Sequence, residues 1–214
     1  MNRIIKIGTR GSELALWQAN HVQSELKKLG VSSELKIIKT QGDQIQDIGF
    51  DKMEGKGFFT KEIEEALLDK TVDLAVHSHK DLETNQPKGL IVASVSDREN
   101  PSELLIIRKD ALNAKLMLSL KQNAVVGTSS ARRKSQLLAF RDDIKLEDLR
   151  GNVPTRINKL REGNYDAIMI AAAGVYRLNI DLEEFHVEVL DPKEFVSAPA
   201  QGVLGLQIRE EDSD

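Results

Sequence analysis

Short apolar runs of strand length alternate along this chain with longer stretches of helical periodicity, and that alternation restricts it to an α/β architecture. Residues 4–8 read as a strand. Residues 12–29 read as a helix, because Leu14, Trp17, Ala19, Val22 and Leu26 recur near a 3.6-residue period. Residues 34–40 give the next strand, residues 41–57 a glycine-rich loop, residues 60–69 a helix, and Val72-Asp73-Leu74-Ala75-Val76 a buried strand. This βαβαβ order predicts a mainly parallel sheet.

Residues 90–95 form a further strand, after which Asp97-Arg98-Glu99-Asn100-Pro101-Ser102 has the polar, proline-marked composition of a domain hinge. Beyond it the pattern restarts, with strands at 104–107 and 124–126, helices at 131–140 and 153–161, and a very apolar strand at 165–172. The segment 201–209 follows Asp191-Pro192 and reads as a strand or short helix returning to the first domain. The expected division is therefore 1–97 plus 197–214 for domain 1 and 102–192 for domain 2. Ile7-Gly8-Thr9-Arg10-Gly11-Ser12 and Val126-Gly127-Thr128-Ser129-Ser130 each place Gly-Thr at a strand end before a helix. This echo predicts two similar lobes with a ligand cleft between them, since open α/β sheets bind ligands beyond the carboxyl ends of their strands.

Charge limits what such a cleft would hold. The 214 residues carry a net charge of −4, so a nucleic acid would not be held by overall charge, and an anion site has to be local. No apolar run approaches the length of a membrane span and no leader-like segment opens the chain, so a cytoplasmic protein is expected. Cysteine is absent, which excludes disulfides, thiolate zinc sites and a cysteine nucleophile.

The local anion sites suggest themselves at two turns, Gly127-Thr128-Ser129-Ser130-Ala131-Arg132-Arg133 and Leu149-Arg150-Gly151-Asn152-Val153-Pro154-Thr155-Arg156. Each sets hydroxyl or amide residues and arginines where a strand gives way to a helix, the place where free N–H groups and the helix dipole favour an anion. Arginine suits carboxylates because its planar fork grips them bidentately. Arg132 and Arg133 also fit a solvated helix face with Lys134, and Ser12 in Thr9-Arg10-Gly11-Ser12 fits a plain helix N-cap. Gly55-Lys56-Gly57-Phe58-Phe59 lacks the spacing of a nucleotide-binding P-loop. In His77-Ser78-His79-Lys80-Asp81 the two histidines would point the same way on an extended segment, but no third metal ligand is evident and no metal site is expected. Asp81 at a strand end reads either as a carboxylate that holds a developing cation or as a surface partner of Lys80.

Taken together, residues 8–19, Gly55-Lys56-Gly57-Phe58-Phe59, His77-Ser78-His79-Lys80-Asp81, Gly127-Thr128-Ser129-Ser130-Ala131-Arg132-Arg133 and Leu149-Arg150-Gly151-Asn152-Val153 resemble the porphobilinogen deaminase (hydroxymethylbilane synthase) family, in order and spacing across essentially the whole chain. The resemblance implies a two-lobed fold like that of type II periplasmic binding proteins. It implies an enzyme that joins porphobilinogen molecules head to tail, releasing ammonia, on a dipyrromethane cofactor, and acts as a monomer. Every pyrrole carries an acetate and a propionate, which accounts for the arginines. By the resemblance Asp81 is the central catalytic carboxylate, Lys80 and Lys56 assist it, and the Lys56 loop is a mobile cover over the site. Arg10, Ser12, Lys80, Thr128, Ser130, Arg132, Arg133, Arg150, Gly151, Asn152, Arg156, Arg177 and Gln201 are the implied substrate- or cofactor-binding residues.

The chain departs from the family's usual residues at His79, Glu83 and Ala131, and chiefly in having no cysteine to carry the dipyrromethane by a thioether. Its last residues fall where the family crosses into a third, cysteine-bearing domain. The expectation is a chain holding the first two domains, with a separate or truncated third domain as partner; a natural short form is the other reading. A rival to the enzyme is a non-catalytic anion sensor built from the same two lobes.

Overall fold

The computed structural model describes residues 3–44 and 57–212. Two compact units result: described residues 3–44, 57–99 and 200–212 make the first, and residues 100–199 the second. In the first unit, β1 (Ile5–Thr9), α1 (Glu13–Lys28), β2 (Ser33–Ile37), the short α2 (Gln41–Gln44), α3 (Lys61–Leu68), β3 (Leu74–Ser78) and β4 (Leu90–Val95) follow in order. The second unit contains β5 (Glu103–Arg108), β6 (Val125–Gly127), α4 (Ala131–Phe140), β7 (Lys145–Glu147), α5 (Val153–Arg161), β8 (Ala167–Ala171), α6 (Ala172–Arg177) and β9 (Phe185–Leu190). The chain then returns to the first unit as β10 (Leu204–Arg209).

Each unit is built on a five-stranded sheet, ordered β2-β1-β3-β10-β4 and β7-β6-β8-β5-β9. These are one topology written twice. In each, a parallel trio is extended by a single reversed strand, β10 or β5, which pairs antiparallel on both sides. Each reversed strand is the first strand after the chain enters that unit. The short Gly-Thr echo thus reflects a repeat of the whole sheet.

Helices cover both faces of each sheet, which is why the central strands read as continuous apolar runs. On β5, Leu104 and Ile106 enter the core under α5 with Ile157 and Leu160, whereas Leu105 and Ile107 enter the opposite core under α4 with Leu137. All four β5 side chains are fully buried, and each contributes roughly 1.5–3 kcal/mol relative to exposure. In the first unit, α1 packs Ala19 and Val22 onto Ile7, Leu74 and Val76, and α3 packs Ile63 and Leu67 onto Val72 and Ala75 from the other side.

Several expected boundaries agree closely with the structure, including β4, α4 and α5. The strand expected at residues 72–76 starts and ends two residues later, because Val72 is still in the turn leaving α3. The strands β7 and β9 and the helix α6 had no counterpart in the periodicity, and the start of the expected loop at 41–57 is instead the short helix α2. β7 has only three residues, with alternate positions exposed, too short for any pattern to register. No helix among the described residues is long and apolar enough to cross a membrane.

At Gly127 the absence of a side chain is required by packing. A Cβ there would lie 2.8–3.0 Å from the Tyr165 ring, whose hydroxyl donates to the Asp148 carbonyl at 2.7 Å. Gly127→Ala is therefore expected to destabilise the second unit by about 1–3 kcal/mol. Chemical denaturation followed by tyrosine fluorescence would measure this, and an unchanged midpoint would mean that the ring can move aside.

Candidate functional site

All the functional residues expected from sequence that are described sit at or near the carboxyl ends of parallel strands, or on the turn that leads into β10. In the first unit, β1 leads through Arg10 to Ser12, whose hydroxyl accepts from the Ala15 amide at 3.3 Å and caps α1. Thr9 is buried and donates its hydroxyl to the Ala15 carbonyl, fixing the first turn of the helix on the strand end. The Arg10 guanidinium lies 4.2 Å from the centre of the Phe59 ring, a cation–π contact.

β3 ends beside β1 and runs directly into a one-turn 3-10 helix, His79–Asp81. The turn is closed by the Leu82 amide donating to the His79 carbonyl at 3.1 Å and is anchored by the His79 amide on the Val203 carbonyl at 3.0 Å. Gln18 of α1 donates to the Ser78 hydroxyl at 2.9 Å, so the capped helix and the turn are held together. Lys80 and Asp81 are both exposed, and Lys80 donates to Gln201 Oε1 at 3.3 Å. Gln201 is buried, and its carbonyl accepts from Arg98 Nε at 2.9 Å. Lys56 lies outside the described residues.

The two histidines of this segment separate. His77 belongs to the strand and is buried, whereas His79 opens the 3-10 turn, so they do not share one side of an extended segment. Among the described residues no three histidine or carboxylate groups come close enough to share a metal ion.

In the second unit the two arginine-bearing turns are neighbours. They follow β6 and β7, which pair in parallel, and Ser129 joins them: its hydroxyl donates to the Leu149 carbonyl and accepts from the Leu149 amide, both at 3.1 Å. Ser130 caps α4 through the Arg133 amide, and Asn152 caps α5 through the Thr155 amide at 2.9 Å. Pro154 sits in the first turn of α5, where its missing N–H costs nothing. Thr128 is buried and accepts from the Ser130 amide at 3.3 Å. Gly151 has φ +112°, and a Cβ there would lie 2.6 Å from Thr155, so the turn between Arg150 and Asn152 is open only to glycine. Arg156 Nε donates to the Gly151 carbonyl at 2.7 Å. Arg177 ends α6, which follows β8.

Arg132 and Arg133, given one task from sequence, differ in structure. Arg133 is buried, and it grips Glu103 at 3.1 and 2.7 Å and the Met169 carbonyl at 3.0 Å. It is neither on a solvated face nor directed outward. Arg132 is partly exposed and donates to Glu103 Oε1, the oxygen that also accepts from Arg133 Nε, and to the Val196 carbonyl. Burial alone would raise the Glu103 pKa, but Arg133 and Arg132 outweigh it and hold the carboxyl below its ordinary range. Glu103 carried no motif. A charged residue opening an otherwise apolar strand was its only signal.

His77 was likewise placed only within a motif, and burial gives it a measurable property. Burial lowers its pKa to about 4; the positive charges of Arg10 and His79 act in the same direction and the Gln207 hydrogen bond acts against them. The unfolded chain, with a histidine pKa of about 6.5, then binds the proton more readily than the folded one. Stability from this source is complete above that value and is lost as the pH falls toward 4. From pH 7 to pH 5 the loss is expected to be about 2 kcal/mol. Urea unfolding of His77→Gln at the two pH values should show a flatter dependence, and an unaltered one would exclude His77 as its source.

The family model described as "Porphobilinogen deaminase, dipyromethane cofactor binding domain" matches residues 5–214. The porphobilinogen deaminase of Maridesulfovibrio salexigens is 50% identical over 215 residues, covering 99% of this chain and 68% of that protein. That of Nitratidesulfovibrio vulgaris is 51% identical over 212 residues, covering 97% and 65%. The chain therefore spans about two thirds of the length of these relatives. An ancestral cationic amino acid solute binding protein of known structure has a TM-score of 0.57 at 15% identity, covering 99% of this chain and 84% of that one. That likeness concerns the fold alone, which is the α/β, two-lobe fold of type II periplasmic binding proteins expected from sequence. With the family model matched over nearly its full length, and with half of its residues shared with named members, this chain belongs to the porphobilinogen deaminase family.

Proposed function

We propose that this chain carries the substrate-handling residues of hydroxymethylbilane synthase, the transferase that joins four porphobilinogen molecules into hydroxymethylbilane in tetrapyrrole (haem) biosynthesis. The observation that carries the reading is Asp81: an exposed carboxylate on a one-turn helix, beside Lys80, with the strand end that precedes the turn tied to α1 through Gln18 and Ser78. The domains are taken as 1–97 with 197–214, and 102–192, in a cytoplasmic monomer whose partners are porphobilinogen and pyrrole oligomers, with no nucleic acid and no membrane.

In this reading Asp81 accepts the pyrrole N–H of porphobilinogen. The aminomethyl group reacts as its ammonium form, so when the C–N bond breaks the electron pair leaves with nitrogen as neutral ammonia and no further proton is needed. The positive charge left on the substrate is shared with the ring nitrogen that Asp81 faces, and a fixed carboxylate stabilises it far better than mobile water does. A pyrrole α-carbon attacks the methylene carbon, forming the new C–C bond, and the proton at that α-carbon passes to water as the ring regains its aromaticity. Lys80 holds a substrate carboxylate near Asp81. Lys56 excludes water, a task that rests on the sequence resemblance alone.

The donor set of the second unit suits the acetate and propionate groups of a dipyrromethane. Thr128, Ser130, Arg132, Arg150, Gly151, Asn152 and Arg156 supply hydroxyl, amide and guanidinium donors at two adjoining helix N-termini, with Arg133 fixing Arg132 through Glu103. Arg10, Ser12, Arg177 and Gln201 complete the binding set. Bound dipyrromethane supplies the α-carbon on which the oligomer grows. The 214 residues contain no cysteine, so a thioether anchor would come from outside them.

Two measurements on the protein expressed from its gene test the proposal. Asp81→Asn should slow ammonia release from porphobilinogen by about 10²–10³-fold while leaving porphobilinogen binding within about threefold. Arg150→Gln should weaken binding of a dipyrromethane dicarboxylate by about tenfold to a hundredfold in calorimetric titration. Tight binding with no ammonia release from the wild-type protein would favour the anion-sensor reading instead.

A further inference from the structure

The first unit contains a fully buried polar side chain, Gln207, that the proposed chemistry does not use. It lies on β10 opposite Ala75 of β3, just past an irregularity in the ladder between Leu206 and Gln207. Its amide makes three hydrogen bonds to three different segments. Oε1 lies 3.2 Å from His77 Nε2, on the strand that leads into the Lys80–Asp81 turn. Nε2 donates to Gln86 Oε1 at 2.7 Å, on the loop that leaves that turn. The same nitrogen donates to Glu64 Oε1 at 3.0 Å, on α3. Gln86 in turn donates to the Glu83 carbonyl, and Glu64 accepts from the Thr60 hydroxyl at 3.3 Å.

Donor and acceptor logic gives these bonds one direction. Both protons of the Gln207 amide nitrogen go to oxygens, so its oxygen must accept, and His77 must carry its proton on Nε2. Position 207 thus requires one acceptor and two donors on a planar group. Glutamate would supply no donor and would set a second carboxylate against Glu64; an apolar residue would take a partner from the buried His77 ring and from buried Glu64 Oε1 and would release Gln86.

We infer that Gln207 is a positioning residue: by tying His77 before the Lys80–Asp81 turn, Gln86 after it and Glu64 on α3 to one amide, it holds that turn in register with the strand beneath it. The functional consequence rests on the role proposed above for Asp81; the network itself does not.

Hydrogen exchange tests the network directly, because the Leu82 amide closes the turn. In Gln207→Glu, exchange at Leu82 should accelerate at least tenfold relative to the β1 amides. The double variant Gln207→Glu with Glu64→Gln restores a donor facing the new carboxylate and should bring Leu82 back to within about threefold of wild type. Wild-type His77 should show the Nε2–H tautomer in its ¹⁵N ring shifts. If Gln207→Glu does not fold, Gln86→Ala cuts the arm on the partly exposed loop, together with the Gln86 bond to the Glu83 carbonyl, and should speed Leu82 exchange about fivefold. Unchanged Leu82 exchange, exchange that rises in step with β1, failure of the double variant to recover, or an Nδ1–H tautomer would each overturn the inference. With porphobilinogen as substrate, the single variant should lose about tenfold in kcat with little change in KM, and the double variant should recover. No conversion by the wild type would count against the proposed activity alone, leaving the exchange measurement to judge the network.

Discussion

A carboxylate with no exposed surface, Glu103, dictates what the second unit must place at the carboxyl edge of its sheet. Removing such a group from water costs several kcal/mol unless cations and hydrogen-bond donors surround it, and deleting one partner of a buried pair costs about 3–5 kcal/mol. Arg133 and Arg132 meet that demand from the first turn of α4. This is an unfavourable place for cations on their own, since the helix dipole is positive there. The buried carboxylate turns the conflict into a fixed arrangement: Arg133 is committed to the interior, and Arg132 is held with part of its side chain exposed.

The neighbouring turn depends on the same edge. Ser129 ties the α4 cap to Leu149, and Leu149 leads into Arg150, Gly151 and the Asn152 cap of α5. Two helix N-termini are thereby held side by side by parallel strands that pair directly. A ligand with several carboxylates meets donors whose geometry is set before it arrives, which lowers the ordering cost of binding.

Most of this was legible in the sequence because it is local. Helical period and Ser12 as a cap are each decided within a few residues and are found where the sequence indicated; the Ser130 and Asn152 caps and the positive φ of Gly151 are equally local. What was hidden is long-range. Glu103 is 30 residues from Arg133 in sequence and Gln207 is 130 from His77, so no window along the chain shows either pair. The direction of β10 and β5 was hidden for the same reason, since an apolar run carries no mark of whether its neighbours run with it or against it. Periodicity also could not separate Arg132 from Arg133, because adjacent helical positions differ by a rotation whose meaning depends on where the sheet lies.

The repeated topology brings these hidden residues into one pattern. Gln207 and Glu103 both lie on the reversed strand of their sheet, and both are fully buried. That strand is the place where a polar anchor is most effective, since it is flanked on both sides by strands and covered on both faces. A group there can reach the ends of several elements at once. Their depths differ: Glu103 pairs with Ala171 at the very end of β8, whereas Gln207 pairs with Ala75, three residues inside the end of β3 at Ser78. Glu103 therefore holds side chains of the edge itself, and Gln207 holds the base of a turn that rises above it. A charged anchor suits the unit whose edge carries arginines. A neutral amide suits the unit whose edge carries Asp81, because Glu64 already sets one carboxylate against position 207 and needs a donor there rather than a second charge.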